Sequence, residues 1–111
     1  MGLFKPAWMS KNRKRALNAV EKESDQLKLE KIAKDDSVYN IDVSIAAIKK
    51  LTDQFVLADI AKNDTNTIIG ITAVTSLVDQ KCLFDLALNS DCQDIREAAA
   101  IKITSRGLVE E

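Results

Sequence analysis

The stretch TDQFVLADIAKN at residues 52–63 recurs in altered form as SDQLKLEKIAKD at residues 24–35 and as VDQKCLFDLALN at residues 78–89. All three copies share an Asp-Gln pair, apolar residues at matching positions and a closing Asp or Asn. The copies begin 28 and then 26 residues apart. Self-similarity at a period of this size is typical of a repeat protein.

Each copy has the pattern of a short amphipathic helix. In the middle copy, Leu57, Ile60 and Ala61 fall at positions i, i+3 and i+4 and so form one apolar stripe. Asp53 stands at the start, where its carboxylate can accept hydrogen bonds from free backbone N–H groups. We therefore predict that the recurring aspartate of each copy is a helix cap and not a catalytic acid.

A second helix is predicted after each copy, because three sets of apolar positions recur there. The sets are Val43, Ile69 and Ile95; Ala47, Ala73 and Ala99; and Leu51, Leu77 and Ile103. One helix pair cannot bury its own stripes, so neighbouring pairs must stack. We predict an all-α fold, an α–α superhelix of about three and a half short helix pairs. The predicted repeat domain spans 13–107, with units at 13–23, 24–51, 52–77 and 78–105, between an N-terminal cap at 1–12 and a C-terminal tail at 108–111.

The composition favours helices and leaves little room for catalysis. Apolar residues make up 46% and charged residues 30%, while Gly (3) and Pro (1) are too scarce for a β-sandwich or barrel. The absence of His removes the usual general base, the Ser-His and Cys-His nucleophile systems and most zinc sites. Cys82 and Cys92 show no C-x-x-C spacing and are interpreted as ordinary thiols. We predict that the protein is not an enzyme and has no catalytic residue, cofactor or metal.

A family resemblance appears in the segment DCQDIREAA at residues 91–99, which is similar to the second-helix motif of HEAT repeats, an Asp followed by (V/I)-R-x-x-A. Together with the recurring Asp-Gln pattern, it makes residues 13–105 resemble the short HEAT-like repeats of bacterial proteins. The repeat is shorter than a standard HEAT unit, and Arg96 is the only motif arginine, since Ser44 and Gly70 hold the equivalent places. We interpret Arg96 as a structural group that pairs with an acidic residue across the repeat boundary.

The resemblance implies a protein-binding scaffold whose second helices line one face. Near that face it places the residues that we predict to contact an unknown protein partner, namely Lys49, Lys50, Thr72, Thr75, Ser76 and Lys102. Apolar surface beyond what stacking uses is expected at Ile68, Ile71 and Ile101. The leading functional prediction is a non-catalytic protein–protein interaction module.

The charge is unevenly distributed, although the net charge is only −1. Residues 1–23 carry +4 and residues 24–111 carry −5. The basic run consists of Lys11, Arg13, Lys14 and Arg15. It is compatible with a solvated helix face, with phosphate contacts to nucleic acid, or with an acidic protein partner. Nucleic-acid binding by this N-terminal basic helix is the alternative functional prediction, although no aromatic residues interleave the run to stack on bases.

The two ends of a solenoid need covering, because terminal repeats expose apolar faces. Phe4 and Trp8 are predicted to fold back over the first repeat, the alternative being an exposed aromatic anchor for a partner. Gly107 is predicted to cap the last helix. No cover is evident at the C-terminal end, so we hypothesise a homo-oligomer contact through a solenoid end.

The sequence pattern predicts no contact with a membrane. No stretch approaches the ~18 apolar residues of a membrane span. The N-terminus lacks the long apolar region of a signal peptide. We therefore expect a cytoplasmic location.

Overall fold

The computed structural model describes residues 7–35, 41–63 and 66–110, and every regular element in these ranges is helical. A short 3₁₀ helix, Ala7–Met9, precedes the α-helices. These are α1 (Arg13–Lys22), α2 (Gln26–Lys34), α3 (Ile41–Lys50), α4 (Gln54–Asn63), α5 (Thr67–Ser76), α6 (Gln80–Asn89) and α7 (Gln93–Glu110). The helices pack in adjacent pairs, and the predicted all-α class is confirmed.

The chain divides into two compact units, Met1–Leu51 and Thr52–Glu111. In the first unit α2 and α3 form a pair, α1 packs beside α3, and the 3₁₀ helix packs on α1. Trp8 of the 3₁₀ helix is half-buried. The core is apolar and includes Ala16, Val20, Leu29 and Ile48. Among the described residues, no α-helix precedes α1 to pair with it as α2 pairs with α3.

In the second unit, two complete helix pairs lie side by side. Helix α4 pairs with α5 and α6 pairs with α7, while α4 packs beside α6 and α5 beside α7. Ala73 on α5 and Ala99 on α7 are completely buried. A Cβ atom added at Gly70 would lie only 2.7 Å from Cδ1 of Ile95. Gly70 on α5 is thus a point of close approach to Ile95 on α7.

Aspartate caps start the first helix of each pair, as predicted. Oδ1 of Asp53 accepts hydrogen bonds from the backbone N–H groups of Phe55 at 2.9 Å and Val56 at 3.3 Å. Asp25 and Asp79 bond in the same way at the starts of α2 and α6. The carboxylates that recur in the sequence therefore satisfy backbone donors that lack a partner inside the helix.

The glutamine of the Asp-Gln pair bonds to a neighbouring helix end in two of the three copies. Nε2 of Gln26 donates to the carbonyl oxygen of Lys50 at 3.0 Å. Oε1 of Gln54 accepts from the backbone N–H groups of Val78 at 2.8 Å and Asp79 at 2.9 Å. The buried Nε2 of Gln80 has no hydrogen-bond partner within the described part of the chain. Helix α7 does not end at the repeat position where α3 and α5 end. The backbone groups of α7 at that position are bonded within the helix and are therefore not open to the side chain of Gln80.

Helix α7 begins at Gln93, so Cys92 occupies its N-cap position. The hydroxyl of Ser90 accepts a hydrogen bond from the backbone N–H of Cys92 at 3.3 Å. A serine two residues earlier thus binds a backbone donor before the helix begins.

The end of α7 lies beyond the predicted cap. Gly107 lies inside the helix, which continues to Glu110. Residues 104–110 contain no proline, and one glycine costs only about 1 kcal/mol in a helix, so the helix is not forced to end there. The predicted tail at 108–111 is helical as far as Glu110.

Phe4, which we predict to fold back over the first repeat, lies outside the described residues.

Candidate functional site

One side of α5 is exposed, although the helix TIIGITAVTS contains no charged residue. Ile68 is 58% exposed and Ile71 is 36% exposed. Together with Thr72 and Thr75 they follow an i, i+3, i+4, i+7 spacing, which places all four on one side of the helix. We call these four residues the α5 face. The predicted exposure of Ile68 and Ile71 is confirmed, as is that of Ile101 on α7.

The two threonines of the α5 face direct their hydroxyl groups back into the helix. Oγ1 of Thr72 donates to the carbonyl oxygen of Ile68 at 2.8 Å, and Oγ1 of Thr75 donates to that of Ile71 at 2.9 Å. Both hydroxyl protons are therefore used inside α5. The α5 face is uncharged and presents apolar groups more readily than hydrogen-bond donors.

The predicted partner-binding lysines Lys50 and Lys102 bond to the ends of neighbouring helices. Nζ of Lys50 donates to three carbonyl oxygens at the C-terminal end of α1, and Nζ of Lys102 donates to two at that of α5. Lys49 is exposed, and Ser76 is half-buried. Of the six predicted contact residues, the structure brings Thr72 and Thr75 together on one face. Contact with a partner stays a prediction for all six.

Arg96 has a structural contact, but the predicted acidic partner is wrong. Its Nη1 donates to the carbonyl oxygen of Ser90 at 2.6 Å. Ser90 is the C-cap of α6, so the guanidinium group joins the end of α6 to α7. The free carbonyl groups and the negative dipole at a helix C-terminus favour a cation there. A backbone acceptor therefore takes the place of the expected carboxylate.

A cleft of about 490 Å³ lies between the 3₁₀ helix and α1. It is lined by Ala7, Asn12, Lys14, Arg15, Asn18, Ala19 and Lys22. Three of these side chains are cationic, two are amides, and none is acidic. The cleft therefore offers positive charge and hydrogen-bond donors on one side of α1, and we call it the basic cleft.

The basic cleft contains only part of the predicted basic run. Lys14 and Arg15 line it, whereas Arg13 points to α3, where its Nε lies 2.5 Å from Oδ2 of Asp42. Lys11 is exposed outside the lining. Lys22 belongs to the cleft and was not predicted. Its spacing of two helical turns from Lys14 is the signal that could have identified it.

Sequence reasoning also missed exposed apolar side chains on the first helices of the second unit. Phe55 on α4 is 80% exposed, and Phe84 and Leu88 on α6 are 52% and 75% exposed. The alignment of the repeats contained a signal for one of them. Leu88 stands where the other two copies have Lys34 and Lys62, which identifies the position as a solvent-facing one.

The thiol of Cys82 is held in its neutral form. Burial raises the pKa of the Cys82 thiol, and the carboxylate of Asp79 raises this pKa further. A raised pKa lowers the thiolate fraction at neutral pH, which is the opposite of what a nucleophile requires. In the described part of the chain, no group of three or more Cys, Asp and Glu side chains is placed to hold a metal ion.

The comparisons with known proteins are negative: no family model, curated protein or solved structure matches the chain. Within the described residues, every helix is too short or too polar to cross a bilayer. Three surfaces are therefore left for functional interpretation, namely the α5 face, the basic cleft and the exposed apolar side chains of α4 and α6.

Proposed function

We propose that the chain is a non-catalytic, HEAT-like protein-interaction module whose protein partner binds the α5 face. The observation that carries this proposal is the exposure of Ile68 on a helix that has no charged residue. A helix that is apolar all round is normally buried. In a chain with 30% charged residues, an uncharged exposed face is an exception that a partner would explain.

The chemistry of the α5 face limits the kind of partner that fits it. The α5 face has no charged side chain that could form an ion pair with a partner. The hydroxyl protons of Thr72 and Thr75 are already bonded inside the helix. Binding must therefore depend mainly on the burial of apolar surface. A partner that presents an apolar helix or loop, with a polar rim, satisfies this requirement.

The test compares three baits in affinity capture from native cytosol: the parent chain, Ile68→Glu and Leu27→Glu. Leu27 is a matched control, because it is 77% exposed and lies on α2 in the other unit. The parent and Leu27→Glu should hold the same protein, whereas Ile68→Glu should lose it. With that protein purified, Ile68→Glu should weaken binding about 30-fold or more. Equal binding by all three chains would exclude the α5 face.

A second function is favoured by the basic cleft, where Lys14, Arg15 and Lys22 converge. Single-stranded nucleic acid could place phosphate groups there, and its binding would then weaken steeply with salt. Three phosphate contacts correspond to a slope of roughly −2 in a plot of log affinity against log salt concentration.

The measurement is fluorescence anisotropy of a labelled oligonucleotide at several salt concentrations. A variant with Lys14, Arg15 and Lys22 all changed to Gln should lose binding. Arg13→Gln is the matched control, because Arg13 is already paired with Asp42 and lies outside the cleft. Equal affinities of the parent and the triple variant would reject nucleic-acid binding at the cleft.

A further inference from the structure

Helix α7 is longer than the second helices of the other two pairs, and its extra part begins at a definite position of the repeat. Helix α3 ends at Lys50 and α5 ends at Ser76, and both positions align with Lys102. Helix α7 continues from Lys102 to Glu110. The turn that follows α3 and α5 is therefore replaced by helix in the third pair.

The continued helix removes the hydrogen-bond partner that Gln80 would have by analogy with Gln26. Nε2 of Gln26 donates to the carbonyl oxygen of Lys50, at the end of α3, at 3.0 Å. The equivalent carbonyl group belongs to Lys102, and in a continuous α-helix it accepts from the backbone N–H of Arg106. Nε2 of Gln80 is buried and has no partner within the described part of the chain. A buried donor without a partner is unfavourable.

The side chain of Ile103 shows a second difference at the same place. Leu51 and Leu77 stand directly after α3 and α5 and are only 5% and 0% exposed. Ile103 aligns with them, but it lies inside α7 and is only half-buried. One polar and one apolar group are thus less well satisfied beside a continuous α7 than their counterparts are beside a turn.

The residues that follow match the start of a first helix. Thr104 and Ser105 lie 26 residues after Val78 and Asp79, which precede α6. Serine, like aspartate, is a favoured N-cap residue. Gly107 weakens a continuous helix, because glycine is a poor helix former. This stretch is therefore suited to a turn and a new helix start as well as to a longer α7.

We propose that α7 contains a joint at residues 103–105 and exchanges between the continuous helix and a bent state in which the helix ends at Lys102. The bend frees the carbonyl oxygen of Lys102, which then accepts a hydrogen bond from Nε2 of Gln80. It also places Ile103 in the buried position that Leu77 has after α5. Gln80 therefore stabilises the bent state.

The position of the joint is set by the contacts of Lys102. Its Nζ donates to the carbonyl oxygens of Val74, at 3.2 Å, and Thr75 at the end of α5. These bonds hold α7 as far as Lys102 in both states, so the bend occurs after it. The two states are balanced because the continuous helix keeps the backbone bonds of residues 103–110, whereas the bent state satisfies Gln80 and buries Ile103. The exchange changes the surface that this end of the second unit presents.

The first test is a double-mutant cycle on the full chain with Arg106→Pro and Gln80→Met. Proline lacks the N–H that a continuous helix needs at position 106, but it is favoured at the first position of a helix and keeps the residue before it out of the α conformation. Arg106→Pro therefore selects the bent state. In the parent, Gln80→Met should leave the midpoint of thermal unfolding unchanged or raise it. In the Arg106→Pro background it should lower the midpoint by about 4 °C or more.

Gln54→Met is the control for this cycle, because Gln54 binds a turn that Arg106→Pro does not alter. It should lower the midpoint equally in both backgrounds. The proposal is overturned if Gln80→Met has the same effect with and without the proline.

The second test needs no proline and detects the exchange in the parent chain. NMR relaxation dispersion reports exchange on the microsecond to millisecond timescale, and it is measured at the backbone amides of Thr104 and Ser105 and at the side-chain amide of Gln80. All three should exchange at one common rate. Gln80→Met should suppress the exchange at the two backbone amides, because the bent state loses its hydrogen bond to position 80.

Lys81→Met is the matched control for the second test, since Lys81 is the exposed neighbour of Gln80 on the same helix. It should leave the exchange unchanged. Two results overturn the joint: no exchange at Thr104 and Ser105 in the parent, or exchange there that persists in Gln80→Met.

Discussion

Nζ of Lys50 lies 2.9 Å from the carbonyl oxygen of Val20, in the last turns of two different helices. The same ammonium group donates to the carbonyl oxygens of Glu21 at 2.7 Å and Glu23. The last carbonyl groups of a helix have no partner inside it and carry the negative end of its dipole. Lys50, at the end of α3, therefore stabilises the end of α1. Lys102 on α7 has the same relation to the end of α5.

Replacing Lys50 by Met should lower the free energy of unfolding by about 1.5–3 kcal/mol, because three carbonyl groups lose a charged donor. Lys49→Met is the matched control, since Lys49 is the exposed neighbour on the same helix. Urea denaturation followed by circular dichroism gives both values. An equal effect of the two substitutions would contradict a capping role for Lys50.

The glutamines of the repeat should differ in their contribution to stability. Gln54→Met removes the acceptor of two backbone N–H groups and should cost about 1–2 kcal/mol. Gln80→Met removes a buried Nε2 that has no partner among the described residues and should leave stability unchanged or raise it. Thermal unfolding of the two variants checks the contrast. A larger loss for Gln80→Met than for Gln54→Met would contradict the bonding pattern.

Gly70 and Ile95 should show energetic coupling. Alanine at position 70 gains about 1 kcal/mol of helix propensity, but its Cβ would lie 2.7 Å from Cδ1 of Ile95. Ile95→Val removes that Cδ1 atom and alone should cost about 0.5–1.5 kcal/mol. Gly70→Ala should therefore be more favourable by about 1 kcal/mol in the Ile95→Val background than in the parent. A double-mutant cycle measures the difference, and strictly additive effects would contradict the close contact.

The thiol of Cys82 should react slowly at neutral pH, because burial and the Asp79 carboxylate raise its pKa and keep it protonated. Asp79→Asn removes the negative charge and retains a capping side chain, so it should lower this pKa and speed alkylation. The rate is measured against pH in a Cys92→Ser background. Asp53→Asn, at the equivalent cap of α4, is the control and should leave the rate unchanged.

The sequence by itself determined the repeat, the helix pairs and the first-helix caps. These features depend on local chemistry: the apolar spacing around Leu57 produces one buried stripe, and Asp53 meets donors only two and three residues away. The exposure of Ile68 was also predictable, because stacking leaves that position of the second helix uncovered.

The tertiary structure decided which side chains meet across the helices. In the sequence, Lys50 has no feature that distinguishes it from a surface lysine, and only the packing of α3 beside α1 brings it to the end of α1. Arg96 bonds to the carbonyl oxygen of Ser90 because packing places the end of α6 beside it. Such contacts depend on the positions of whole helices, which are set by packing between residues far apart in sequence.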